Sequence, residues 1–237
     1  MAPFVQTDVK WWLGGYDISA DFNAVALVYG AELKDDTTYG NSTRTVKGGL
    51  RTVRLEGEGY WDSPVDSRLH ATVGVADTVV SIGPVDGTEG SPSFFAKYTT
   101  GEYGPISSGT VGDMLAFRVS ADGRGGEGLV SGTIMVNRSS VVASSNSGTA
   151  LQLGAVAAGE SVYAALHVLA ASGTLDVTVN SDDGVGWGSP TTRVTFAQAT
   201  AVSSEYASAA GAIADDYWRV DFTVSGDFDF VVCVGIK

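Results

Sequence analysis

The chain has 237 residues, 31 of them glycine, only 17% charged, and 27 acidic against 14 basic side chains give a formal net charge of -13. No run of Lys or Arg forms a basic stripe, which excludes an ordinary electrostatic grip on nucleic acid, and the single cysteine, Cys233, excludes an intrachain disulfide. No stretch approaches the roughly 18 apolar residues of a membrane-spanning helix, and Met1-Ala2-Pro3-Phe4 lacks the basic-then-apolar order of a signal peptide. The expectation is a soluble protein, without membrane insertion, made in a cytoplasm.

Short apolar runs rich in Val, Thr, Tyr and Phe, punctuated by Gly, Ser, Asn and Asp, are strand and turn chemistry. The length suits two modest domains. Residues 18–29 alternate apolar Ile18, Ala20, Phe22, Ala24, Ala26 and Val28 with Ser19, Asp21 and Asn23, which predicts a strand with one apolar face. Residues 50–61 are its natural antiparallel partner. The connection over residues 30–49 is far longer than the about two to five residues that usually join a hairpin, and such loops tend to carry function.

Ser63 before Pro64, with Asp66 three residues on, predicts an N-capped short helix running through Leu69. Strands follow over residues 79–82, 93–100, 111–120 and 129–137, separated by turns such as Asp86-Gly87 and Asp122-Gly123. Residues 139–147 are short-side-chained and uncharged, suited to a connection or an edge strand, and place a domain boundary at 138/139. Beyond it, strands over residues 151–156, 161–170, 175–180, 192–197, 217–224 and 228–236 predict a β-sandwich. The fold class is therefore all-β: a barrel-like domain with one short helix over residues 1–138, and a sandwich over 139–237. Cys233 falls in the run 230–234, which reads as a buried strand.

Catalytic chemistry finds little purchase. The two histidines, His70 and His167, fall in different expected domains, and no Ser-His-Asp set can be nominated. One Cys and two distant His do not supply a zinc site. Asp182-Asp183-Gly184 and Asp215-Asp216 lack the ligand spacing of a calcium loop and read as solvated turns. The glycine-rich residues 122–128 lack the Lys-Ser or Lys-Thr of a phosphate cradle, so no cofactor is expected. Trp11-Trp12, Trp187 and Trp218 are candidate platforms for sugar rings, with packing or subunit contact the favoured reading.

The order Trp12-Leu13-Gly14-Gly15-Tyr16-Asp17-Ile18-Ser19-Ala20-Asp21-Phe22-Asn23, then Asp36-Thr37-Thr38-Tyr39-Gly40-Asn41, Lys47-Gly48-Gly49-Leu50 and Gly57-Glu58-Gly59-Tyr60-Trp61-Asp62 resembles the major tail tube proteins of long-tailed, siphovirus-like bacteriophages, over about residues 10–138. The resemblance implies a non-enzymatic virion tail protein whose β-barrel, flanked by a helix, assembles with copies of itself into six-fold rings. Stacked rings form a tube for DNA ejection, passed by DNA without sequence-specific binding and joined to other tail proteins. It implies that the long loop contacts an adjacent ring or subunit through Asp35, Asp36, Tyr39 and Arg44. Asp21, Glu56 and Glu58 become candidates for a lumen-facing acidic wall, the alternative being that they face solvent. The second half resembles the sandwich domains that decorate phage tails or heads. This keeps two alternatives open: a capsid decoration or head/tail fibre protein, and a carbohydrate-binding module using Trp187 or Trp218.

Overall fold

The computed structural model describes residues 8–40 and 42–237, apart from the side chains of residues 107 and 108. Asn41 of the tail-tube-like motif and residues 1–4 lie outside them. In chain order the elements are β1 (Lys10–Leu13), β2 (Tyr16–Asp17), β3 (Phe22–Asp35), β4 (Val46–Tyr60), α1 (Ser63–Thr72), β5 (Thr78–Gly83), β6 (Pro92–Ser108) and β7 (Ala116–Arg124). They continue with β8 (Val130–Ser147), β9 (Leu151–Gln152), β10 (Ser161–Asp182), β11 (Thr191–Thr195), β12 (Ser203–Ala210) and β13 (Tyr217–Ile236). The described residues form an all-β fold with one helix, and every inter-strand register below is antiparallel.

The chain forms two compact units. The first takes the chain up to Ala20, Thr78–Lys97 and Val130–Lys237; the second takes Asp21–Asp77 and Tyr98–Leu129. This differs from the division at 138/139 expected from the sequence. β8 runs without a break through that position, because the small side chains of residues 139–147 let the strand continue along β13, pairing Val141 with Phe228 and Ser147 with Asp221.

In the first unit, strands follow the order β11-β10-β13-β8-β6-β5-β1-β2, with β12 added to β10 and β9 to β13. The central pair, β10 and β13, is paired from Val162 opposite Ile236 to Asp182 opposite Tyr217, with one register shift between Val168 and Ala170. Each was expected as two strands, 161–170 with 175–180 and 217–224 with 228–236; each is one. The break is a shared bend at which Gly173 faces Gly226, with φ of +113° and +137°. A Cβ on Gly226 would stand 1.5 Å from the Ser172 carbonyl oxygen, so only glycine fits.

Beyond the bend this sheet is covered on both faces. Leu166, Val168, Phe228, Phe230, Val232 and Val234 face one core with Trp218 and Val220. Ala165, Val231 and Cys233 face another with Trp12, Phe95 and Ile134. Two-sided burial explains the unbroken apolar run at residues 230–234.

His167 is fully buried in this unit. Its Nδ1 lies 2.6 Å from the Gly14 carbonyl oxygen and its Nε2 lies 2.8 Å from the Ser81 hydroxyl. Nδ1 donates to the carbonyl, and in the neutral ring that burial favours Nε2 accepts from the Ser81 hydroxyl. Burial pushes its pKa down to about 4, against a smaller opposing effect of the Gly14 bond.

In the second unit, β4 pairs with β3 on one side and β7 on the other, and β7 also pairs with β6. Val53, Leu55, Phe117, Val119 and Ala121 are buried beside Val65 and Leu69 of α1. The helix is capped one residue earlier than expected: the Asp62 carboxylate, not Ser63, accepts the Val65 amide at 2.8 Å. Asp66 closes no capping box. It accepts the Trp61 indole N–H at 3.0 Å and the Tyr103 hydroxyl at 2.8 Å, and these bonds hold its carboxyl below the usual range.

Candidate interaction surface

The β3–β4 hairpin sets the geometry of the second unit's surface. It stays paired from Phe22 opposite Gly59 to Asp35 opposite Val46, with register shifts between Phe22 and Ala24 and between Ala31 and Leu33, so the expected loop of residues 30–49 shrinks to a tip over residues 36–45. The period-2 pattern continued further than its clearest apolar residues suggested.

In β4, burial alternates only from Val53 onward, and every residue from Val46 to Thr52 is exposed. No residue of β3 is buried. The distal seven residues of β4 therefore reach roughly 20 Å past the part that covers a core, at about 3.4 Å per residue. Leu33 is 64% and Leu50 79% exposed on this arm. A two-stranded ribbon without a covered face is marginal in water.

The tip is closed by its own polar groups. The Asp36 amide donates to the Thr45 carbonyl at 3.1 Å and the Thr45 amide to the Thr37 hydroxyl at 2.9 Å. Asp35 and Arg44 meet at 2.9 Å, and Asp36 pairs with Lys47 at 3.0 Å. Bonds from the Thr37 hydroxyl and amide, and then Arg44, hold the Asp35 carboxyl below its ordinary range. Such exposed pairs order the tip more than they stabilise it. Tyr39 is fully exposed. Of the four residues expected at the contact, Asp35 and Arg44 are thus brought together, Asp36 stands beside them, and Tyr39 points to solvent.

The face of the second unit opposite its core carries a groove of about 680 Å³, lined by Ala24, Ala26, Arg54, Glu56, Glu58, Glu102, Ile106 and Arg118 among others. Glu56 pairs with Arg54 at 3.1 Å and Glu58 with Arg118 at 3.4 Å. Glu56 and Glu58 thus share the predicted polar face, and Glu102 joins them. Asp21 does not extend that row along a strand; it falls in the turn before β3. Arg118 and Glu102 were missed, although the alternation of buried Phe117, Val119 and Ala121 in β7 places Arg118 and Ser120 on the opposite face.

In the first unit, Trp218 is fully buried and donates its indole N–H to the Gly154 carbonyl at 2.9 Å, so it is a core residue and offers no platform to a sugar. Trp11 and Trp12 are buried too. Trp187 is half-buried, and the Arg219 guanidinium lies 4.1 Å from its ring centroid. His70 is exposed in the last turn of α1, and His167 is sealed inside. Among the described residues no group of three or more His, Cys, Asp or Glu is placed to hold a metal ion, and no helix is long and apolar enough to cross a membrane.

No protein-family model and no curated protein matches the sequence. Among solved structures, the fold is similar to a chain in the virion of the native gene transfer agent particle, at 16% identity and a TM-score of 0.40, over 52% of this chain and 95% of that one. It is similar to a chain of the sheath–tube complex of PVC, an extracellular contractile injection system, at 11% identity and a TM-score of 0.41, over 54% and 90%. SPP1 Dit, described as a paradigm of hub adsorption apparatus in phages that infect Gram-positive hosts, is similar at 10% identity and a TM-score of 0.38, over 97% and 99%.

Proposed function

We propose that the chain is a non-catalytic structural subunit of a phage-type tail, and within that class a tube subunit that assembles into stacked, six-fold rings. The observation that carries this reading is the β3–β4 arm, a long two-stranded ribbon of mixed polar and apolar side chains that leaves Leu33 and Leu50 in water in the single chain. The tail-tube-like motifs over residues 10–138 support it, and one of them, Lys47-Gly48-Gly49-Leu50, falls in the uncovered part of the arm. In this reading the arm and its Asp35–Arg44 tip dock on a neighbouring copy, and head-to-tail docking that closes gives a ring, whereas stacking that does not close gives a tube. The face bearing Glu56, Glu58 and Glu102 lines the conduit. With Arg54 paired to Glu56 and Arg118 to Glu58, Glu102 leaves that face with one net negative charge, which disfavours a hold on phosphates and lets DNA pass.

Electron microscopy of the purified protein tests the assignment. Hollow tubes or six-fold rings are the expected result, and deletion of residues 35–43 should leave unassembled subunits with unchanged secondary structure by circular dichroism. A monodisperse monomer at high concentration, trimers that bind only capsids, or normal tubes from the deletion variant would each overturn it.

A further inference from the structure

The β3–β4 arm differs in charge from the rest of the chain. Residues 30–52 carry four basic and three acidic side chains, a net charge of +1 in a protein whose total is -13. Lys34 faces Lys47 across the ribbon. Lys34 pairs with Glu32, Arg44 with Asp35 and Lys47 with Asp36, which leaves Arg51, among the described residues, without a carboxylate partner; its guanidinium lies 3.4 Å from the Tyr29 hydroxyl.

Gly48, directly opposite Leu33, is a glycine that the subunit itself does not need. A Cβ there would meet nothing within 4 Å, and its φ lies outside the left-handed region. Glycine weakens a strand interior, and one of its uses there is to admit the close approach of another group. Nothing among the described residues makes that approach, so the space beside Leu33 is open to another molecule.

The opposite end of β4 is the complement of the arm. The strand ends at Tyr60; Trp61 is 38% exposed, and its amide donates to the Leu115 carbonyl at 2.8 Å, which brings the β6–β7 turn alongside it. Met114 is 65% exposed and Val111 fully so. Residues 60–66 and 110–115 carry three acidic side chains, Asp62, Asp66 and Asp113, and no basic one. Asp113 is exposed, and its carboxylate has no partner among the described residues. One end of the second unit is thus apolar and basic, the other apolar and acidic. Leu50 and Tyr60 are ten positions apart on β4, so the ends stand roughly 30 Å apart at about 3.4 Å per residue and do not meet within one subunit.

We propose that the arm of one copy seats on the Trp61–Met114 end of the next. Leu33 and Leu50 cover Val111 and Met114, Gly48 admits the Trp61 ring, and Arg51 meets the acidic end that Asp113 forms with its neighbours. The contact is heterologous, one end of a subunit against the other end of its neighbour, and therefore propagates along β4. It rests on the tube reading above and adds the surface that receives the arm.

Sedimentation of variants tests it. Val111→Asp with Met114→Asp, at exposed positions, blocks the receiving end, and Leu33→Ser with Leu50→Ser blocks the arm. Each pair should stay monomeric where the parent assembles and melt where the parent monomer does. Mixed in equal amounts, the two should form one-to-one dimers, since one supplies an intact arm and the other an intact receiving end. Gly48→Val, which the subunit accommodates, should raise the concentration needed for assembly at least about tenfold without lowering the melting temperature. Assembly of the Val111/Met114 variant like the parent, a mixture that stays monomeric, or assembly of Gly48→Val at the parent's concentration would overturn the proposal and leave the tube reading standing. A parent chain that never assembles would remove both.

Discussion

β13 and β3 are both long strands of Val, Phe and Tyr, and they meet opposite fates. Along β13 every second residue is buried from Trp218 to Val224, and residues 230–235 are buried without a gap. β3 buries none of its fourteen residues. The hydrophobic effect is worth about 25 cal/mol for each Å² of apolar surface removed from water, so β13 holds the monomer together while β3, which half-buries Phe22, Leu27 and Gly30, gains far less from it. The same residue types thus do two jobs, and what separates them is whether the chain itself supplies a second layer.

The sharpest test of that contrast lies in the first unit. Trp218→Ala should cost roughly 3–5 kcal/mol, the range for a large aromatic removed from a core, because it also orphans the Gly154 carbonyl. Urea denaturation of the monomer measures it. If Val28→Ala on β3 cost as much, the contrast would fail.

A second test uses pH. His167 titrates near 4 when folded, against 6.5 as its ordinary value. The unfolded chain therefore takes up its proton first as pH falls. The contribution is complete above about pH 6.5 and drains away between 6.5 and 4, at about 1.4 kcal/mol per pH unit, roughly 3 kcal/mol in all. Depressed carboxylates such as Asp215 and Asp221 lose their contribution lower, as pH drops through their folded values. Urea midpoints for the protein and for His167→Asn should accordingly converge as pH falls from 7 to 4; a constant gap would show that the ring is not held neutral.

How much of this was legible in the sequence follows from range. Alternation is local, so the all-β class, β5 and the burial of Cys233 were readable. Residues 139–147 read equally as a linker or an edge strand, and only pairing with β13, some eighty residues on, makes them strand. Gly173 and Gly226 read as two breaks because their meeting across a bend is a tertiary event. The alternation of Trp218 with Val220, Phe222 and Val224 marks a core face, while its other reading, as a sugar platform, falls because its indole N–H is taken by the Gly154 carbonyl 64 positions away. The cap of α1 was misplaced by one residue because Asp62 and Ser63 are both good caps. Asp62→Ala should therefore cost about 1 kcal/mol and Ser63→Ala close to nothing, a difference readable in melting temperatures.

The smallest effect on the monomer should be the largest on the assembly. Leu33→Ser and Leu50→Ser lie on the uncovered part of the arm, at 64% and 79% exposure. Surface changes of this kind usually move stability by less than about 0.5 kcal/mol. In a ring that covers the arm, each would place a hydroxyl in an apolar contact and remove buried area, and the loss recurs at every repeat of a symmetric assembly. The pair should give a monomer that unfolds in urea where the parent monomer does, yet sediments as a monomer at concentrations where the parent forms rings. A marked loss of monomer stability would mean that the arm is already covered within the chain, and the distinction between β3 and β13 would then be one of degree.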